Sequence, residues 1–369
     1  MRNFAVDVVE RAPPDRLALV ALARDGARSE WSFGAVARAA RTLAAHLHDL
    51  GVRCGDTVLT LVGNQPDWVA ALVACFRQGY VALPCNEQLR AKDLRLRLAI
   101  CPPAALVCDG RNERVLTDAG WSGPTIFVPG VADWRPRDPP PPAALSPLDP
   151  CLITFTSGTA GQPKAVVHGQ RYLAGQRVQA EHWLAPQPNE LVWCTAASGW
   201  SKSARNAFVA PWIRGAAALL HDARFDPAER LDVLARENVN VLCMAPTEYR
   251  VIAKRATLRP VPSLRGLVAA GGAQSRGAAR LARGDGLADP RRLRPDGDRP
   301  ADRDAAGPGG PARLDGPAAA GDRRGDRRRR ARRGSRDGAD LLSGLRGRRA
   351  ARRRRRGRRA LAHRRSRAP

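Results

Sequence analysis

Helix-like and strand-like hydrophobic patterns alternate along the chain between residues 30 and 273. Apolar residues at helical spacing follow Ser32 and Pro66, and these two segments end at Gly51 and Gly79. Ser and Pro are typical of helix starts, and Gly is typical of helix ends. Further helices are predicted at 89–100 and after Asp226, and strands at 57–62, 80–83, 104–108, 151–156, 165–168, 191–195, 239–244 and 266–270. The alternation predicts an α/β fold in which helices cover parallel sheets.

Two interruptions divide this pattern. A proline-rich stretch at 136–150 predicts a stiff linker between a first α/β subdomain, 1–135, and a second one, 151–273. The second subdomain carries a glycine-rich turn between two strands. It stops short of a finished sheet, because the pattern ends at Gly271-Gly272-Ala273.

The remaining residues, 274–369, have a different composition. They contain 31 Arg and 11 Asp, and no Lys, Glu, aromatic or β-branched residue. Such a segment cannot bury enough apolar surface to offset its ordering entropy, so we expect it to be disordered. Gly, Ala, Arg and Pro have GC-rich codons, so a GC-rich gene read out of frame would encode such a segment. We therefore hypothesise that the reading frame slips near Ala273. The alternative is a genuine basic tail.

Composition and charge exclude several classes. The chain has 62 basic and 35 acidic residues, a net charge of +27, most of it after Ala273. The chain has no run of 18 apolar residues, so we expect no membrane span. Asp7 and Glu10 argue against a signal peptide. The eight cysteines have neither C-x-x-C nor zinc spacing. We therefore expect no structural metal, cysteines that pack as small core residues, and a cytoplasmic protein.

The most informative segment runs from Thr156 to Lys164 and reads Thr-Ser-Gly-Thr-Ala-Gly-Gln-Pro-Lys. Glycines let backbone N–H groups approach a polyphosphate, hydroxyls add donors, and a lysine supplies positive charge. The segment is not a Walker A loop, because Pro163 precedes the lysine and no Gly-Lys-Ser/Thr ends it. The alternative is a solvated hairpin turn.

This segment resembles the phosphate loop of the adenylate-forming (AMP-dependent synthetase/ligase) superfamily, which includes acyl-CoA synthetases, luciferases and peptide-synthetase adenylation domains. The segment Thr195–Trp200 resembles the acetate-type and medium-chain acyl-CoA synthetases, and Ala269–Ala273 resembles the Gly-Gly turn near the adenine. The superfamily's other N-terminal signatures resemble the segments Glu30–Phe33, Gly55–Val58, Asn64–Trp68 and Gly79–Pro84. The resemblance covers about residues 30–273.

The resemblance implies a two-step ligase that uses a carboxylic acid, ATP, Mg²⁺ and coenzyme A. It assigns Lys164 a catalytic role on the leaving pyrophosphate. Trp200 is expected to form a wall of the acyl pocket, the alternative being a plain core tryptophan. His168 is interpreted as a structural strand residue, and Lys202 as a solvated charge. The nucleotide-binding candidates are Thr156, Ser157, Gly158, Thr159, Gly161, Lys164, Gly271 and Gly272.

The chain also departs from the superfamily. Its members carry an aromatic-Gly-x-Thr-Glu motif after the Gly-Gly turn, and a lysine in a small C-terminal domain, whereas 274–369 contain no Tyr, Thr, Glu or Lys. We therefore expect no such domain, weak ATP binding and no useful adenylation. Two other functions stay open. One is non-specific binding of nucleic acids or other anions through Arg327–Arg330 and Arg352–Arg356, and the other is a non-catalytic scaffold.

Overall fold

The computed structural model describes residues 1–156, 163–269 and 293–295. Predictions that concern 157–162, 270–292 or 296–369 lie outside these residues. They include the disorder of the basic segment outside 293–295, and the placement of Ser157, Gly158, Thr159, Gly161, Gly271 and Gly272.

The described elements follow the predicted α/β alternation. The helices are α1 Phe33–Asp49, α2 Pro66–Gln78, α3 Ala91–Ile100, α4 Glu113–Asp118, α5 Arg171–Gln179, α6 Ala210–Ile213, α7 Pro227–Arg236 and α8 Pro246–Arg255. The strands are β1 Leu17–Leu22, β2 Arg28–Ser32, β3 Thr57–Leu61, β4 Val81–Cys85, β5 Ala105–Asp109, β6 Thr125–Val128, β7 Pro150–Thr156, β8 Lys164–Gly169, β9 Leu191–Cys194, β10 Ala217–His221, β11 Val241–Met244, β12 Gly266–Ala269 and β13 Leu293–Pro295.

The strands form two sheets. The six-stranded sheet has the order β6-β5-β3-β4-β7-β8, and the seven-stranded sheet has the order β13-β12-β11-β9-β10-β1-β2. Neighbouring strands are parallel except at one edge of each sheet, where β8 and β2 run antiparallel. The predicted α/β class with parallel sheets is confirmed.

Sheet membership does not follow the order of the chain. Strand β1 pairs with β10, Leu19 opposite Ala218, and β7 pairs with β4, Leu152 opposite Ala82. Each sheet therefore takes strands from both sides of the proline-rich stretch, and a boundary at 136–150 divides the sequence without separating the sheets.

The proline-rich stretch packs against the end of α2. The carbonyl oxygen of Pro140 accepts hydrogen bonds from Arg77 Nη1 at 2.8 Å and from Gln78 Nε2 at 2.9 Å. The Arg77 guanidinium also pairs with Glu10 at 2.7 Å. These contacts attach both the stretch and the N-terminal segment to the helix.

An aromatic cluster joins helical segments that pack on the two sheets, and its rings share one core. Phe4 lies edge-on to Phe76 with ring centroids 5.9 Å apart, and Phe208 lies 4.9 Å from Trp212. The Trp212 indole also donates to the carbonyl of Ala18 on β1, at 3.0 Å. Burying such rings stabilises the packing of the two sheets against each other.

Helix boundaries agree with the caps read from the sequence. The Ser32 hydroxyl accepts from the Ala35 amide, and the Asp226 carboxylate accepts from the amides of Ala228 and Glu229. Gly79 ends α2 with a φ of +63°, a conformation that favours glycine. Strands β1, β2, β6, β10 and β13 were not predicted. Strand β13 pairs with β12 although it lies within 274–369, the segment that was expected to be disordered. The β10 sequence, Ala-Ala-Leu-Leu-His, lacks β-branched residues and has little local strand signal.

Candidate functional site

A cavity of about 880 Å³ opens at the carboxyl ends of the parallel strands, where the two sheets meet. Its walls come from residues at or after the ends of β3, β4, β9, β10 and β11, together with side chains of α7 and α8. In open α/β sheets this edge is where ligands bind. The cavity is therefore the candidate functional site of the described residues.

The turn after β9 is fixed against the opposite sheet at Gly199. This glycine has a φ of +88°, and a Cβ built there would overlap the Asn86 amide and lie 2.8 Å from Cys85 Cα. The Ser198 hydroxyl donates to the carbonyl of Val62, and Asn64 Nδ2 donates to the carbonyl of Ala196. Only glycine permits this approach, so the turn forms a fixed part of the cavity wall.

Trp200 follows this turn and lines the cavity with 58 % of its surface exposed. It is not a core residue, which removes the alternative considered from the sequence. An exposed indole at the mouth of a cavity offers a flat apolar surface to a ligand. Lys202 also lines the cavity and is half-buried, so it is not the fully solvated charge that was expected.

The ends of the glycine-rich segment lie on the antiparallel pair β7–β8. Thr156 is the last residue of β7, Lys164 is the first of β8, and the two are opposite each other. Both are exposed, and neither is among the residues that line the cavity. Because β7 runs parallel to β4, with Leu152 opposite Ala82, Thr156 reaches the sheet edge that also carries the cavity.

An ion-pair cluster connects the two sheets beside the cavity. Arg111 pairs with Asp109, with Asp222 at 3.0 Å and with Glu87 at 3.1 Å. Arg24 pairs with Glu87 at 3.0 Å. Burial opposes ionisation of Asp109, but hydrogen bonds from Arg111 and Gln65 outweigh it and hold its pKa below the usual value. Burial and the nearby Asp222 raise the pKa of Glu87.

The wall formed by β9, β10 and α7 carries polar groups that the sequence reasoning missed. Thr195 Oγ1 donates to Glu248 Oε2 at 2.6 Å, and Arg230 approaches His221 Nδ1 at 3.1 Å. One signal for Arg230 was available. It precedes Val233 and Leu234 by three and four residues, so a charge occupies the apolar face of α7.

His168 lies on β8, as interpreted from the sequence. Its Nε2 is 3.2 Å from the Thr154 hydroxyl on β7, and its ring packs on Tyr172 with centroids 4.3 Å apart. Burial, reinforced by the charge of Arg205, lowers the pKa of His168.

The residues that the structure describes contain no group of three or more His, Cys, Asp or Glu side chains arranged to hold a metal ion. No helix among them is both long and apolar enough to cross a bilayer. All eight cysteines lie in described segments without a disulfide, and all but Cys54 are buried, as expected of small core residues.

The fold is similar to solved structures of acyl-CoA ligases. It matches an acyl-CoA synthetase from Brucella canis with a TM-score of 0.72 and 21% identity, covering 79% of this chain and 56% of that one. A benzoate CoA ligase from Burkholderia xenovorans LB400 matches with a TM-score of 0.70 and 19% identity, covering 79% and 60%. At these identities the likeness shows the fold.

Curated relatives with similar sequences are also named as acyl-CoA ligases or synthetases. The chain is 30% identical over 246 residues to the uncharacterized acyl-CoA ligase YtcI of Bacillus subtilis, covering 62% of this chain and 45% of the relative. It is 29% identical over 300 residues to the mitochondrial acyl-coenzyme A synthetase ACSM3 of Homo sapiens, covering 73% and 50%. The chain thus spans about half the length of the curated relatives it matches.

A family model described as "AMP-binding enzyme" matches residues 6–286, more than half of the chain. The matched range includes both described sheets up to β12 and the whole glycine-rich segment. The chain therefore belongs to the AMP-binding enzyme family.

Proposed function

We propose that this chain derives from an AMP-forming acid–CoA ligase. In that reaction a carboxylate oxygen attacks the α-phosphorus of ATP and pyrophosphate leaves, which gives an acyl-adenylate. The thiolate of coenzyme A then attacks the acyl carbon, and AMP leaves. The observation that carries the proposal is the position of Thr156 and Lys164, paired at the sheet edge that also holds the cavity.

Each candidate residue has a physical role in this scheme. The first step moves negative charge onto pyrophosphate, so a cation and hydroxyl donors lower its barrier. Lys164 supplies the cation, and Thr156 begins the loop whose Ser157, Gly158, Thr159 and Gly161 offer further donors. Gly271 and Gly272 would contact the nucleotide.

Trp200 would form one wall of the site for the acid, because its indole lines the cavity beside the turn fixed by Gly199. The relatives and structural neighbours include ligases named for acyl-CoA and benzoate CoA, which supports a carboxylic acid as the substrate class.

The residues described offer no fit for the Mg²⁺ that the family implies, since no cluster of ligands is present among them. The family's Thr-Glu pair also has no counterpart in 274–369, which contain neither residue. We therefore derive no step through a metal ion.

A polypeptide of this sequence should not adenylate acids at a useful rate, because groups that stabilise the family's transition state are missing from it. The measurement is ATP–pyrophosphate exchange with a panel of aliphatic and aromatic acids. We expect no exchange above that of Lys164→Ala. Clear exchange by the unmodified chain would show that 274–369 do not prevent catalysis.

ATP binding tests the nucleotide site without requiring turnover. Equilibrium dialysis with labelled ATP should show weak binding that Lys164→Ala weakens by about tenfold, since one charge-assisted contact is lost. Lys92→Ala is the matched control, because Lys92 is an exposed lysine on α3. Equal affinities for all three chains would contradict the assignment of Lys164.

A further inference from the structure

Arg230 is a buried cation on the wall of the cavity. Only 5 % of its surface is exposed, and its guanidinium carbon lies 4.8 Å from the ring centroid of Trp193 and 5.6 Å from that of Phe225. The three residues line the cavity together. Among the described residues, no carboxylate forms a salt bridge with Arg230, and its Nε has no hydrogen-bond partner. Burial lowers the pKa of Arg230, and the charges of Glu248, Glu229 and Asp226 offset only part of this effect.

The neighbour that Arg230 does contact is neutral. Arginine only donates hydrogen bonds, so His221 Nδ1 must be the acceptor at 3.1 Å. The proton of the imidazole is then on Nε2, which lies 3.3 Å from Glu229 Oε1. Burial and the charge of Arg230 lower the pKa of His221 by more than Glu229 raises it, in agreement with a neutral ring. A neutral ring leaves the guanidinium charge without a direct counterion.

The acids of the cavity have other partners. Glu87 and Asp222 pair with Arg24 and Arg111 in the ion-pair cluster. Glu248 accepts from Thr195 Oγ1, which is a neutral donor, and its charge acts on Arg230 without a direct contact. A buried charge without a counterion is unfavourable, and a bound anion would relieve that cost.

We propose that the cavity takes a carboxylic acid whose far end carries a second carboxylate, and that Arg230 binds this second group. The inference rests on the proposed acid–CoA ligase function and names the substrate class of the same site. Trp193 and Phe225 provide apolar walls for the body of such an acid, with Trp200 at the mouth. The guanidinium between the two rings offers charge-assisted hydrogen bonds to carboxylate oxygens.

Binding of matched acids to the full chain tests the proposal without turnover. Calorimetric titrations would use hexanoic acid, hexanedioic acid and the monomethyl ester of hexanedioic acid, with benzoic and terephthalic acids as a second pair. We expect a dicarboxylate to bind at least about tenfold more tightly than its monocarboxylate or ester, because one charged contact is added.

Two variants test whether Arg230 is responsible for the tighter binding of dicarboxylates. Arg230→Met keeps a long apolar side chain but removes the charge, and we expect it to bind both members of each pair equally. Arg236→Met is the matched control on the same helix, since Arg236 is exposed, pairs with Glu237 and lies outside the cavity. It should retain the preference. If Arg230→Met fails to fold, the comparison of acids on the unmodified chain decides by itself.

Three results would overturn the inference. Equal binding of mono- and dicarboxylates by the unmodified chain would refute it and leave the proposed function standing. Binding of none of the acids would contradict the proposed function, and the inference with it. A dicarboxylate preference that stays intact in Arg230→Met, together with weakened binding of coenzyme A, would assign Arg230 to the phosphates of coenzyme A.

Discussion

At the scale of single residues, the geometry of the site depends on groups that tolerate little change. Gly199 lies where no side chain fits, and Arg230 is a buried charge that forms no salt bridge with any of the described residues. The rest of the interior is ordinary packing. Burial raises the pKa of the Cys85 thiol to about 12, so it behaves as a small core residue on β4 and not as a nucleophile.

Gly199→Ala should lower the free energy of unfolding by about 2 kcal/mol, because the methyl group meets backbone atoms and the φ is positive. Urea denaturation measures the change. The control is Gly175→Ala on α5, where a Cβ meets nothing within 4 Å and alanine favours the helix. A loss in Gly199→Ala no larger than that in the control would show that the turn is not tightly packed.

At the scale of elements, the hairpin β7–β8 connects the glycine-rich segment to the six-stranded sheet. Six opposed residue pairs, from Pro150–Gly169 to Thr156–Lys164, hold it together. His168 and Thr154 form a cross-strand contact in its middle. The stability of this hairpin therefore controls the position of Thr156 and Lys164 at the ends of its strands.

Stability should fall as the pH is lowered below about 7, and His168 should contribute to the fall. Burial lowers the pKa of His168 in the folded protein below the usual value of about 6.5, so between the folded and the unfolded pKa the unfolded chain binds more protons. Stability then rises with pH across this window and is lost as the pH falls through it.

Urea midpoints for the unmodified chain and His168→Gln, measured from pH 8 to pH 5, would check this contribution. Glutamine keeps a group that can hydrogen bond to Thr154 but does not titrate. We expect a flatter pH dependence in the variant. Parallel curves, offset by a constant amount, would exclude His168 as a source of the dependence.

At the scale of the whole molecule, the two sheets are joined by the aromatic cluster and by the ion-pair cluster around Arg111. That arginine contacts Asp109 at the end of β5 and Asp222 just after β10, so one side chain reaches both sheets. The cavity lies beside this connection. Its shape therefore depends on how the sheets are held, and not on either sheet alone.

Arg111→Met should destabilise the molecule by about 2 kcal/mol, because partly buried carboxylates lose their shared partner. Thermal and urea denaturation measure the effect. Arg114→Met is the matched control, because the Arg114 side chain is 92 % exposed and its Nε lies as far as 3.9 Å from Asp118 Oδ2. This variant should lower the free energy of unfolding by less than about 0.5 kcal/mol. Similar losses in the two variants would remove the ion-pair cluster as a link between the sheets.

Reading the coding DNA past codon 273 in the other two frames tests the frame-slip hypothesis. An aromatic-Gly-x-Thr-Glu stretch within a few dozen codons is the expected result. Its absence from both frames would favour a genuine basic segment.

The sequence by itself determined the α/β class, the main helix boundaries and the family. Helix caps such as Ser32 and Asp226 act on the next few residues, and the glycine-rich segment is a continuous motif, so both can be read locally. Only the tertiary structure decided which strands share a sheet and which charges meet in the cavity. The Trp212–Ala18 hydrogen bond spans 194 residues, and Arg230 differs from a surface arginine only because β9, β10 and α7 enclose it. Such contacts depend on topology and burial, which local patterns do not specify.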